Sequence, residues 1–165
     1  MTTKQLVSLL LLSGIFFGGC DTDSIDQERP VIDFTLEGSF PQACDTIYFN
    51  EGFELRAYFS DNEGLASFSL DVHHNFDHHS HSTEPVSCEL DSTKEATNPF
   101  VYIQDYLLDS AEIQVSEQIL FSSDSSQRHD SGDYHFFLRL TDINGWTTYR
   151  GVPVKLLYRD SVLNK

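Results

Sequence analysis

The chain has 165 residues, with 26 Asp+Glu against 10 Lys+Arg and a formal net charge of −16. So acidic a surface repels phosphate backbones and anionic headgroups, which excludes nucleic acid as a partner and favours cations or basic proteins. With 13 Phe and 7 Tyr, a single domain of this length can bury a sizeable core.

Lys4, the apolar stretch from Leu6 to Phe17 and the small pair Gly18-Gly19 read as an export signal over residues 1–19, too short for a membrane span. Cys20 directly after it turns the export signal into a lipoprotein signal, although Phe17 stands where leucine is usual. Cleavage before Cys20 and acylation of its thiol would anchor the protein, each buried methylene contributing about 0.8 kcal/mol. The expected location is the cell envelope, at the outer membrane on its periplasmic or cell-surface face. Export leaves Cys44 and Cys88 as an even pair in an oxidising compartment, where a disulfide is the expectation and two thiols at a metal site the alternative.

Residues 20–30, containing DTDSIDQER, read as an acidic tether, followed by one domain over 31–160. From Pro30 onward the pattern has period two, broken by turn residues, and no long helical period emerges. Strands are expected at 31–34, 45–50, 53–60 and 67–74, with the turn Asp61-Asn62-Glu63-Gly64 between the last two. Weaker ones follow at 98–106 and 112–121. The strands 133–141 and 147–158 form a hairpin across Asn144-Gly145, a two-residue turn signal. Seven to eight short strands at this spacing argue for an all-β, immunoglobulin-like antiparallel β-sandwich. The stretch Asp130-Ser-Gly132-Asp-Tyr134-His-Phe136 resembles the D-x-G-x-Y-x-C pattern that opens strand F of such domains, with Tyr134 as the corner tyrosine. Phe136 replaces the core cysteine, so Cys44 and Cys88 must staple something else.

Five of the seven histidines, His73, His74, His78, His79 and His81, fall within nine residues. Imidazole is the commonest neutral ligand for Zn2+, Cu2+ and Ni2+, and a carboxylate such as Asp77 suits the same ions. On the strand 67–74, His73 shares the polar face with Asp71, Ser69 and Ser67. On 133–141, Tyr134, Phe136, Leu138 and Leu140 point inward, so His135 points outward. Strands C and F of an immunoglobulin-like sandwich are antiparallel neighbours, which brings His73 and His135 together, and His79 and His81 can fold back over them. The expected site is therefore His73, Asp77, His79, His81 and His135, holding Zn2+, with Cu2+ or Ni2+ as alternatives. The plain alternative is a solvated His-rich hairpin with weak metal affinity. His74 reads as a core residue, and His129 as an ordinary loop residue.

Enzyme chemistry is not indicated. His73-x-Asn75-x-Asp77-His78 comes close to the HxHxDH motif of metallo-β-lactamase-like hydrolases, but Asn75 replaces a ligand and that fold needs a longer, helix-containing chain. There is no G-x-S-x-G elbow, Gly-rich phosphate loop or HExxH. The oxygens of Asp61-Asn62-Glu63-Gly64 and Asp142-Ile-Asn144-Gly145 suit Ca2+, yet both segments read better as tight turns.

Taken together, the lipoprotein signal, HHNFDHHSHS and GDYHFFLRLTDINGW resemble a family of uncharacterised lipoproteins of Gram-negative bacteria. That family is a domain of unknown function with an immunoglobulin-like sandwich. The resemblance covers most of the chain after Cys20. It implies that His73, Asp77, His79, His81 and His135 belong to the family pattern, and it implies no activity. The expected role is capture, sensing or delivery of metal, in partnership with an outer-membrane receptor or transporter. The rival role is a surface adhesion or accessory module without a metal.

Overall fold

The computed structural model describes residues 25–83 and 85–159, so the expected leader and Cys20 lie outside the described residues. Eight strands follow in chain order: β1 (Val31–Asp33), β2 (Thr46–Tyr48), β3 (Gly52–Ser60), β4 (Leu65–His74), β5 (Tyr102–Leu107), β6 (Glu112–Leu120), β7 (Gly132–Asp142) and β8 (Thr147–Leu157). They form a sheet of order β1-β3-β6 and a second of order β2-β8-β7-β4-β5. No helical element occurs among the described residues, and the protein is a β-sandwich.

Alternation of apolar and polar residues on each strand decides which face turns inward. Leu55, Ala57 and Phe59 of β3 meet Phe68, Leu70 and Val72 of β4 and Phe136, Leu138 and Leu140 of β7 in one buried cluster. Burying each such side chain contributes about 1.5–3 kcal/mol. Aromatic rings fill the larger gaps, as where Phe59 meets Phe68 edge-on at 5.3 Å. Tyr134 is the corner tyrosine: its hydroxyl donates to the Asp130 carbonyl at 2.6 Å and accepts the Phe100 N–H at 3.1 Å.

Two expectations change. The sandwich is not wholly antiparallel, because β2 runs parallel to β8 along the sheet edge. Nor is the β7–β8 turn two residues long. Asp142 N–H donates to the Trp146 carbonyl at 3.1 Å, and the Asp142 carboxylate caps the N–H groups of Asn144 and Trp146, which widens the loop to 143–146. Gly145 sits there at a φ of 91°, a conformation that favours glycine.

The stretch expected as a tether docks from residue 25 onward. Asp26 is buried, and its carbonyl accepts the Trp146 indole N–H at 3.0 Å.

Candidate metal centre

β4 and β7 are paired so that His73 stands opposite His135, and opposite residues share a face. That face points away from the core, as alternation requires. His135 is nevertheless only 2% exposed. Residues 79–83 of the connection between β4 and β5 cross the outer face of the larger sheet at this point and cover His135.

The path of that connection is fixed by several local contacts. Thr83 N–H donates to the Gly151 carbonyl at 2.9 Å, and Gly151 N–H donates to Thr83 Oγ1 at 3.0 Å. A Cβ at Gly151 would lie 2.4 Å from the His81 carbonyl oxygen, so glycine permits this approach. Further along, Asp91 N–H donates to Asp133 Oδ2 at 2.7 Å, and Lys155 Nζ pairs with Asp91 at 2.7 Å and Asp133 at 3.0 Å. Cys88 is joined to Cys44 by a disulfide. Since Cys44 N–H donates to the Pro153 carbonyl at 2.8 Å, the staple ties the loop to the β2/β8 edge.

Folded in this way, the loop brings His79 and His81 over His73 and His135. All six ring-centroid separations among the four imidazoles lie between 4.8 and 5.7 Å. One ligand nitrogen from each of His73, His79 and His81 lies within 4.8 Å of the other two. His73 Nδ1–H donates to Asp71 Oδ1 at 2.8 Å, which leaves Nε2 as the free lone pair. That Nε2 is buried and has no hydrogen-bond partner. His79 Nδ1–H donates to Asp77 Oδ1 at 2.5 Å in the same arrangement. A carboxylate on the far nitrogen fixes tautomer and ring orientation and raises ligand basicity. The hydrogen bond from His79 in turn holds the Asp77 carboxyl below the usual carboxylate range.

His135 is placed differently. Its Nε2–H donates to the His79 carbonyl at 3.0 Å, and its Nδ1 is buried without a partner. Burial pushes its pKa down to about 4, with the facing His79, His73 and His81 adding to the effect. The ring is therefore neutral at physiological pH, with a bare Nδ1 lone pair.

Of the residues singled out in the sequence, the fold gathers His73, His79, His81 and His135. Asp77 touches the group through His79 rather than from inside it. Asp71, which the sequence places on the face of His73 but which stood outside the expected ligand set, holds that ring, and the i, i+2 spacing that signals it is repeated by Asp77 and His79. His74 faces inward at the sandwich rim, half-buried against Phe76 at 4.9 Å, with Nδ1 unpartnered. His78 bonds the Asp91 carbonyl at 3.0 Å, and His129 packs against Phe100 at 5.2 Å.

The fold and this cluster define a β-sandwich domain with four imidazoles gathered under a stapled loop. The chain belongs to the family described as Domain of unknown function (DUF4625), whose model matches residues 19–157. No curated protein matches the chain.

Proposed function

We propose that this protein is a cell-envelope lipoprotein that binds a divalent transition metal through His73, His79 and His81, with His135 as a fourth imidazole. Zn2+ is favoured over Cu2+ or Ni2+. The role is capture, sensing or delivery of metal for an outer-membrane receptor or transporter.

The observation that carries the reading is the gathering of one nitrogen each from His73, His79 and His81 within 4.8 Å, on a group whose His73 Nε2 is buried and unpartnered. A buried nitrogen without a partner costs about 1–3 kcal/mol, and a bound cation would remove that penalty. The bound geometry needs nitrogens about 2.0–2.1 Å from the ion and hence about 3.4 Å apart, which a contraction of the loop by an ångström or so supplies. Carboxylates on the far nitrogens of His73 and His79 match the outer shell of histidine metal sites. The lipid anchor is supported by Cys20 directly after an apolar leader.

Metal analysis and calorimetry on the chain, extracted from membranes in detergent, test the metal. We expect one Zn2+ per chain, weakened about a hundredfold or more by His79→Ala and by His81→Ala, since each removes a ligand. Stoichiometric binding untouched by both substitutions overturns the site. Incorporation of labelled fatty acid, lost in Cys20→Ala, tests the anchor.

A further inference from the structure

We propose that Asp26, Asp61 and Asp142 form a second cation site, at the end of the sandwich away from the histidines, and that it takes Ca2+. One carboxylate oxygen from each of the three residues lies within 4.8 Å of the others. Oxygens that share a calcium at about 2.3–2.6 Å lie at most about 5 Å apart, so the group already has the span one ion requires.

The tight turns alone do not account for the group. Asp61 Oδ1 accepts the N–H groups of Glu63 and Gly64 at 3.0 and 2.9 Å, and Asp142 Oδ1 accepts those of Asn144 and Trp146 at 2.8 and 2.9 Å. These bonds complete both turns with one oxygen of each carboxylate. The other oxygens, Asp61 Oδ2 and Asp142 Oδ2, are buried and have no partner. Asp142 is only 1% exposed, so its idle oxygen lies inside the fold. A buried carboxylate oxygen with neither a donor nor a cation is costly. The ion pairs of Arg56, Lys155 and Arg159 go to other carboxylates.

Asp26 reaches the turns from the segment before β1. Its Oδ1 accepts Glu28 N–H and Asn62 Nδ2–H, both at 3.0 Å, and its Oδ2 accepts Asn144 Nδ2–H at 3.3 Å. The two turns are joined by the Ile143 N–H on the Gly64 carbonyl at 3.0 Å and by Asn144 on Glu63 at 2.8 Å. All three donors are hard oxygens, Asp142 at the end of β7 and the other two on irregular backbone, which suits the six to eight adaptable ligands of Ca2+ better than the strict octahedron of Mg2+. Turn carbonyls and water would complete the shell. The ion would clasp residues 25–30 onto the sandwich and fix the direction in which the preceding chain leaves it.

Trp146 supplies a readout, being the only tryptophan and bonded to the Asp26 carbonyl. The test is calorimetry and Trp146 emission on the detergent-extracted chain, titrated with CaCl2 after chelation and dialysis. We expect one Ca2+ per chain in the roughly 0.1–1 mM range of extracellular modules, a matching emission change, and a higher Tm. Asp61→Asn and Asp142→Asn keep the turn-forming oxygen and should each weaken binding about tenfold or more. Should Asp142→Asn fail to fold, the half-buried Asp61→Asn decides. His79→Ala should leave the Ca2+ titration unchanged. Absence of heat and emission change at millimolar Ca2+, or titrations indifferent to both substitutions, overturns the proposal. A Mg2+ response equal to that of Ca2+ overturns the assignment to calcium.

Discussion

The two ends of the β4–β7 ladder hold polar clusters built from different chemistry by one rule. At one end imidazoles gather under a long loop; roughly 25 Å along the strands, carboxylates gather between two short turns. In both, one atom of a side chain is used to hold it and the other is left without a partner. His73 is held through Nδ1 by Asp71, and Asp142 through Oδ1 by two backbone N–H groups. The idle atoms, His73 Nε2 and Asp142 Oδ2, are buried. What differs is the support. The histidines depend on a covalent staple and a cross-sheet loop, whereas the carboxylates depend on backbone turns and on a segment from before the first strand. The donor atoms differ in kind as well, borderline nitrogen against hard oxygen, so the two ends should answer to different ions.

The largest effect that separates them is loss of the staple. Cys44 and Cys88 are 44 residues apart, and in the chain-entropy description closing a loop of that length contributes about 4 kcal/mol at 25 °C. Cys88→Ser should therefore lower Tm by about 10 °C. Below the new Tm it should weaken Zn2+ binding, because the loop carrying His79 and His81 loses its tie to β8. Ca2+ binding at the turns should stay within about twofold, as no part of the staple touches them. Calorimetry with both ions on one preparation decides it, and equal losses for both would show the ends to be coupled.

Next in size are the carboxylates behind the imidazoles. Asp71→Asn and Asp77→Asn each remove a charged acceptor from a far Nδ1 and should weaken Zn2+ about 10- to 100-fold without changing its stoichiometry. A change in stoichiometry for Asp77→Asn alone would make Asp77 a direct ligand, as the sequence pattern suggests.

How much of this was legible depends on the length scale of the signal. Period-two alternation located all eight strands, and alternation combined with C–F adjacency placed His73 beside His135, as the register shows. Tyr134 was legible because its bond to the Asp130 carbonyl is local, four residues away within the corner it closes. The burial of His135 was not. It arises from a loop whose path is set by Gly151, Thr83 and the disulfide, and no residue near His135 announces any of them. The parallel pairing of β2 with β8 was hidden for a similar reason: three residues of strand carry no pattern that tells parallel from antiparallel. The two acidic turns were visible one at a time. Their meeting with Asp26 depends on a Trp146 contact spanning 120 residues, which no local reading can supply.

The smallest expected effect tests that long-range meeting most directly. Asn62 Nδ2 donates to Asp26 Oδ1 at 3.0 Å, beside the Glu28 N–H on the same oxygen. Glu28 is the stronger of the two in holding the Asp26 carboxyl below the usual carboxylate range, and its backbone N–H survives substitution of Asn62. Asn62→Ala therefore leaves Asp26 charged and removes only one of the bonds that aim it at Asp61 and Asp142. A hydrogen bond of this kind contributes about 1 kcal/mol, so Ca2+ affinity should fall about fivefold. Zn2+ affinity should not move, because the imidazoles share no partner with Asn62. Paired titrations that showed both falling would mean that residues 25–30 brace the whole sandwich, and the distinction between its two ends would then lie in ion preference alone.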